Sequence, residues 1–349
     1  MNARGWVIAL CSLLLGSAVA AQGFLGLGSD AEGFATPDPG TVLRFPRDYG
    51  AHPEFRIEWW YVTANMTGED GQEYGLQWTL FRTALAPGQT DSWDSPQLWM
   101  GHAAITTRDT QFVAERRARG GIGQAGVTAQ PFSAWIDDWQ LSGADMGALR
   151  MTATGTDFSY DVSLLADGPI VLQGQDGYSV KSETGQASYY YSQPHYQLSG
   201  SLTLPSGPVA VTGQAWLDRE WSSQPLASDQ TGWDWFSLRF QDGAKLMGFQ
   251  LRSTARAPYT VATWISPDGT PTTLPPGALA ATPLRTTRVA GRDVPTEWRL
   301  QLPARDLDLT ITPLNPQSWM STSVAYWEGP VRASGSHPGR GYLEMTGYE

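Results

Sequence analysis

Along this chain apolar and polar residues come in short runs rather than in long stripes of helical period. The runs are rich in Trp, Tyr, Phe, Val and Thr, and Gly, Pro, Asp and Asn break them. β-Branched and aromatic side chains fit a pleated surface, so these runs predict strands. In the first half strands are expected over residues 56–66, 73–83, 98–107, 150–154, 158–166, 187–191 and 196–204. The second half continues with 209–221, 233–241, 244–253, 259–266, 297–302, 307–313 and 341–346. Glu69-Asp70-Gly71, Gln241-Asp242-Gly243 and Pro267-Asp268-Gly269 supply turns at hairpin spacing. One short helix is expected near Gln111 to Arg119, although that segment has no clear apolar stripe. The fold class that follows is all-β, in two sandwich or barrel units for a chain of 349 residues. The polar stretch 222–230, with Pro225 inside it, marks the boundary, giving units over 41–222 and 223–349. Glu58-Trp59-Trp60-Tyr61 opens the first and Gly232-Trp233-Asp234-Trp235 the second, a parallel that fits two similar barrels in tandem.

Two clusters stand out within this pattern. In Gln214-Ala215-Trp216-Leu217-Asp218-Arg219-Glu220-Trp221 the two-residue period of a strand puts Trp216, Asp218 and Glu220 on one face. Two acids beside an indole are unusual on a buried face, because a buried carboxylate is costly unless paired or used. The second cluster, residues 232–240, adds Trp233 and Trp235. If both strands line one cavity, it is an aromatic pocket with acids inside. The chain's 16 tryptophans are several-fold more than the roughly 1% of residues usual in soluble proteins. Large aromatics also fill barrel cores, so it is the clusters and not the total that argue for a cavity.

The formal net charge of −11 argues against nucleic-acid or anionic-membrane partners. Lysine is confined to Lys181 and Lys245. Residues 1–20 read as a secretory signal peptide: Arg4, an apolar stretch from Trp6 to Leu15, then Ala18-Val19-Ala20. That stretch is too short to span a bilayer, so the processed protein is not expected to be transmembrane. Residues 21–40 read as a flexible leader. The single cysteine, Cys11, falls within the signal, and Leu10 before it is poor for lipoprotein processing. The expected destination is the periplasm or the exterior.

Hydration of an isolated alkene is chemistry the acids could support. The acid must hold its proton near neutral pH, which burial beside apolar groups and a second carboxylate achieves. Asp218 with Glu220 fits that requirement. Trp216, Trp233 and Trp235 would stabilise a cation through their faces, and His195 or Tyr191 would position the water. The competing reading pairs Asp218 and Glu220 with Arg219, Arg239 or Arg252 in a structural network. Glu58 is expected to pair with Arg56 or Arg82. His102 and Trp60 are placed among pocket-lining groups. His52 and His337 lie in Pro-containing loops, and Trp327-Glu328 closes the second unit. The four histidines are dispersed, with no zinc-ligand spacing, and no nucleophile elbow or dinucleotide fingerprint occurs. No cofactor is expected. Paired acids with many indoles also suit a glycoside hydrolase.

The motifs resemble the carotenoid 1,2-hydratase / AttH-like family. The likeness is carried by His52-Pro53-Glu54 leading to Glu58-Trp59-Trp60-Tyr61, by Gly101-His102-Ala103-Ala104-Ile105-Thr106, and by Tyr189-Tyr190-Tyr191-Ser192-Gln193-Pro194. Residues 213–221, 232–236, 326–329 and 341–348 complete it in order. The resemblance implies two lipocalin-like β-barrels with a ligand pocket at their junction, binding an apolar lipid or isoprenoid. It also implies functions that vary: hydratases of terminal isoprenoid double bonds, exported AttH-like proteins encoded with ABC transporters, and pericyclase-type relatives. The chain is similar to the AttH-like branch, with ABC transporter components as the implied partners. Asp218 matches the acidic position of the hydratase strand, and His195 is matched to the family's pocket histidine.

N-terminal sequencing of exported protein is expected to read from Ala21, and an intact Met1 or an acylated Cys11 would contradict the signal. Reductant should leave the melting temperature of the processed chain unchanged, since no cysteine remains to form a disulfide.

Overall fold

The computed structural model describes residues 32–224 and 226–348. The expected signal peptide and most of the leader lie outside the described residues. Thirteen strands form one sheet. They are β1 (Ile57–Gly68), β2 (Glu73–Ala84), β3 (Gln97–Thr106), β4 (Gln111–Arg119), β5 (Ala125–Ala129), β6 (Phe132–Ile136) and β7 (Trp139–Gly143). β8 (Ala148–Thr154), β9 (Ser159–Ala166), β10 (Val171–Leu172), β11 (Tyr178–Val180), β12 (Ala187–Leu204) and β13 (Gly207–Ser222) complete it. Ten more form a second sheet. They are β14 (Gln230–Phe240), β15 (Lys245–Ser253), β16 (Tyr259–Ile265), β17 (Pro271–Thr273) and β18 (Ala280–Val289). β19 (Arg292–Leu302), β20 (Leu307–Pro313), β21 (Trp319–Met320), β22 (Tyr326–Gly335) and β23 (Gly339–Met345) follow. The only helical elements among the described residues are two single 3₁₀ turns, Arg47–Tyr49 and Pro303–Arg305. Among the described residues no helix is long and apolar enough to cross a membrane.

The helix expected at Gln111–Arg119 is instead β4, paired antiparallel along its whole length with β3. The reason is visible in its alternation. Phe112, Ala114 and Ala118 pack on the core, and Arg116 lays its guanidinium 4.9 Å from the Trp139 ring on the same face. That is a period of two, which a search for a 3.6-residue stripe misses.

The first sheet runs β4-β3-β2-β1-β13-β12-β9-β8-β7-β6-β5 and curls into a nearly closed barrel, with every pairing antiparallel. Gly101 makes the closure tight, because a Cβ there would stand 2.7 Å from Ile136 on the opposite wall. The second sheet runs β17-β16-β15-β14-β23-β22-β20-β19-β18 and forms a half-barrel. Together they are two tandem lipocalin-like domains. The first sheet's last strand ends at Ser222 and the second sheet begins at Gln230. Contact between them is close: a Cβ on Gly75 of β2 would lie 2.5 Å from Pro330 of β22.

The wall that meets the second domain is buried on both faces, as residues 187–196 of β12 and 215–222 of β13 show. On β1, Trp60, Val62, Ala64 and Met66 enter the barrel core, while Tyr61 joins the aromatic cluster between the domains. Parity along each strand therefore assigns every side chain to the barrel or to the junction.

The barrel side holds the main buried ion network. Glu58 accepts from Arg82 and from Arg219, each within short hydrogen-bond distance. Arg82 also donates to the carbonyls of His52 at 2.9 Å and Phe55 at 2.8 Å. Arg219 donates to Gly50 O at 2.6 Å and lies 3.8 Å from the Trp60 ring. Burial opposes ionisation of Glu58, but the two guanidiniums and His52 hold its carboxyl well below the usual range. Glu58→Gln should leave two buried guanidiniums without a counter-charge and cost about 3–5 kcal/mol of stability. Urea melts of the two proteins measure this, and a loss below about 1 kcal/mol would contradict the network's role.

Candidate functional site

A cavity partly open to solvent lies between the two domains. The junction face of the first barrel builds one wall with Trp59, Tyr61, Ser188, Tyr190, Asp218 and Glu220. The second domain builds the other with Trp233, Trp235, Phe249, Leu251 and Glu344, and Leu226 comes from the segment joining the domains. The lining is mainly aromatic and aliphatic, and three acids interrupt it.

Asp218 sits centrally on its wall, with Tyr61 and Ser192 as its cross-strand neighbours. Its Oδ1 accepts from Ser192 Oγ at 2.5 Å and Trp216 Nε1 at 2.7 Å, and its Oδ2 from Tyr190 Oη at 2.6 Å. All three donors are neutral. The arginines that could have paired with it are engaged elsewhere. Arg219 points into the barrel toward Glu58, Arg252 holds Asp234 at 2.5 Å, and Arg239 donates to Pro194 O at 3.3 Å. Burial pushes the Asp218 carboxyl up to about 7; its three donors pull it down and Glu220 pushes it further up.

Glu220 differs because it has a cation: Lys181 Nζ stands 2.7 Å away, and Ser188 also donates to it. The same ammonium lies 4.4 Å from the Phe249 ring and 4.9 Å from the Tyr190 ring. Across the cavity Glu344 accepts from Trp233 Nε1 at 2.6 Å. Burial pushes Glu344 up to about 7 as well, against the pull of Trp233 and Tyr61, with Asp218 and Glu220 adding to the rise. The pocket thus offers two carboxyls that hold a proton near neutrality and one that is ion-paired.

Of the residues singled out in the sequence, Asp218, Glu220, Trp233 and Trp235 line this cavity, and Trp216 stands against it as a donor to Asp218. Trp60 and Tyr191 do not. Trp60 donates to Tyr49 O at 2.9 Å and Tyr191 to Asp48 O at 3.2 Å, both on the barrel side. Their immediate neighbours Trp59 and Tyr190 line the pocket instead. In runs such as Trp59-Trp60-Tyr61 and Tyr189-Tyr190-Tyr191 both parities are aromatic, so composition carries no sign of which face is which.

His195 lies outside the cavity lining. It follows Pro194 where the β12–β13 register shifts, and it packs against Gly168. Burial and the nearby Lys245 push its ring down to about 4. His102 is also outside the lining, 3.0 Å from Tyr326 Oη and 3.3 Å from Glu115. Glu344 was missed in the sequence. Its signal was the alternation of Tyr342 and Glu344 in the last strand, which repeats on β23 the aromatic-then-acid spacing of Trp216 and Asp218.

Comparisons with known proteins agree with this architecture. The AttH-like family model matches residues 36–348. A protein of Nitrosomonas europaea described as an AttH candidate has a crystal structure similar to this one. The TM-score is 0.82 at 35% identity, covering 90% of this chain and 99% of that one. Kievitone hydratase of Nectria haematococca shares the fold, with a TM-score of 0.67 at 17% identity, covering 90% of this chain and 95% of that one. A search of curated proteins finds no match. The family match over nearly all the described residues, with the paired barrels and their junction pocket, identifies the chain as a member of the AttH-like family.

Proposed function

We propose that this is an exported, cofactor-free acid catalyst that adds water to a carbon–carbon double bond of an apolar, isoprenoid-like ligand held at the domain junction. The observation that carries the reading is Asp218: a buried carboxyl with no cationic partner among the described residues, held by three neutral donors and facing an aromatic cavity. A structural acid in such a place would be paired, as Glu58 and Glu220 are. A neighbour that shares the fold, kievitone hydratase, carries hydration in its name.

In this mechanism the π pair of the alkene takes the proton of Asp218 and the O–H bond breaks toward oxygen. The resulting carboxylate is stabilised by the hydrogen bonds of Ser192, Tyr190 and Trp216, which are already in place. The positive charge develops on the more substituted carbon. Indole faces of Trp59, Trp233 and Trp235 would each stabilise it by about 1–2 kcal/mol in a desolvated site. Water then forms the new C–O bond, and its surplus proton leaves to a carboxylate of the pocket.

Asp218→Asn is the discriminating substitution. The amide can keep the Ser192 and Trp216 bonds on its oxygen and donate to Tyr190, so the fold should survive. Turnover should fall by about 10² or more, the scale for losing a general acid. Acyclic isoprenoids with terminal trisubstituted double bonds, squalene among them, are incubated in heavy-oxygen water, and the tertiary alcohol is sought by mass spectrometry. Heavy-oxygen alcohol from wild type, and none from Asp218→Asn at equal binding, is the expected result. Binding without turnover in wild type would overturn the catalytic reading and leave a carrier.

Stability offers a second check. The folded carboxyl of Asp218 holds its proton up to about 7 against an ordinary 3.8, so folding takes up a proton between those values. Its contribution is therefore complete below the ordinary value and lost as pH rises through about 7. That loss is on the order of 3–5 kcal/mol at about 1.4 kcal/mol per unit. Glu344 acts in the same direction. Urea melts from about pH 4 to about pH 8 should show wild type weakening and Asp218→Asn weakening distinctly less. Parallel profiles for the two proteins would count against a buried, unpaired acid.

A further inference from the structure

Behind the pocket the two domains meet across a layer of polar side chains that the acid chemistry above does not involve. Tyr61, which lines the pocket, donates to Glu328 Oε1 at 2.5 Å and is also hydrogen-bonded to Glu344. Tyr326 stands beside Glu328 and 3.0 Å from His102 Nδ1, with the two rings stacked at 5.6 Å. His102 Nε2 lies 3.3 Å from Glu115 Oε1. Glu115 reaches the surface with 19% of its side chain exposed, held by Arg117 at 2.8 Å and by Ser323. From Glu344 outward, an unbroken row of proton-carrying groups therefore joins the pocket to the exterior, and it crosses the domain junction three times.

The row is expensive as structure. Glu328 is fully buried, has no cationic partner among the described residues, and its Oε2 has no hydrogen-bond partner. Gln77 Oε1 and Gln111 Oε1, in the same layer, are likewise buried without one. Unpaired polar atoms are costly to bury, and an apolar junction would hold two barrels together at less cost. Carboxyl, phenol and imidazole groups in hydrogen-bonding sequence are what proton transfer needs.

We propose that this layer conducts protons between the pocket and the surface, with Glu344 as its inner terminus and Glu115 as its outlet. The proposal rests on the acid-catalysed reading of the pocket. When water adds to the cation, the oxygen keeps the O–H bonding pair and the surplus proton passes to one carboxyl oxygen of Glu344 as its other oxygen releases its own proton to Tyr61. Each group onward takes a proton on a lone pair and releases its own: Tyr61, Glu328, Tyr326, then His102 at Nδ1 with release from Nε2. One proton reaches Glu115 and solvent, and every group ends as it began after it reorients. Asp218 regains its proton from solvent when the product leaves. A rear route matters because an apolar ligand filling the mouth shuts out the water that would otherwise exchange protons from the front.

The test is a pH jump followed by infrared absorption at the protonated-carboxyl band that Glu344→Gln abolishes. The pocket is filled with pristane, a saturated isoprenoid that cannot react. Tyr326→Phe and His102→Gln should slow the response by about ten-fold or more, while pristane affinity and circular dichroism stay unchanged. Glu115→Gln, at the partly exposed end, should slow it too, so the result does not depend on buried variants folding. Equal rates in wild type, Tyr326→Phe and Glu115→Gln overturn the path. Failure of wild type to bind pristane overturns the apolar-pocket reading instead. The jump on unliganded protein then decides the path, a slower Tyr326→Phe supporting it and an unchanged one rejecting it.

Discussion

The structure depends on one wall that serves two interiors. β2, β1, β13 and β12 are at once the side of the first barrel and the face against the second domain. A strand normally buries alternate residues and wets the others, but these bury both sets. Hence the runs Trp59-Trp60-Tyr61 and Tyr189-Tyr190-Tyr191, in which neither parity is polar by default. The sheet can only be built this way if the second domain is in place to cover its outer face.

Both faces of that wall carry buried acids, and they resolve the same electrostatic problem in opposite ways. On the barrel side Glu58 is met by two guanidiniums and stays ionised. On the junction side Asp218 and Glu344 receive only neutral donors, and burial raises both. All three carboxyls are buried; the presence or absence of a cation decides which one keeps its proton. Glu220 marks the border, on the junction face yet paired with Lys181. Function follows from that difference, because a carboxyl that keeps its proton in an aromatic cavity can give it away.

The junction also explains why the chain carries two domains rather than one. A single barrel could hold an apolar ligand in its lumen, but here the lumen is filled with Trp60, Trp78 and Trp139. The ligand space has moved outside the barrel, where groups from two sheets converge. Glu344 and Trp233 come from the second domain to face Asp218 and Tyr190 from the first.

The amino-acid sequence by itself determined the strand-only architecture and the shared face of Trp216, Asp218 and Glu220. These follow from local rules: side-chain period, turn chemistry and β propensity. Its family resemblance supplied the paired barrels. Gln111–Arg119 was misread because its period of two is interrupted by Arg116, a charge whose place in the core face is explained only by the Trp139 ring across the barrel. Tertiary structure alone decided that Trp59 and Tyr190 line the pocket while Trp60 and Tyr191 fill the barrel. It alone decided that Asp218 meets no arginine, and that Glu344, on the last strand, faces it. Parity, ion pairing and convergence depend on what lies across a strand or a domain boundary, and a one-dimensional pattern carries that only where one face stays polar.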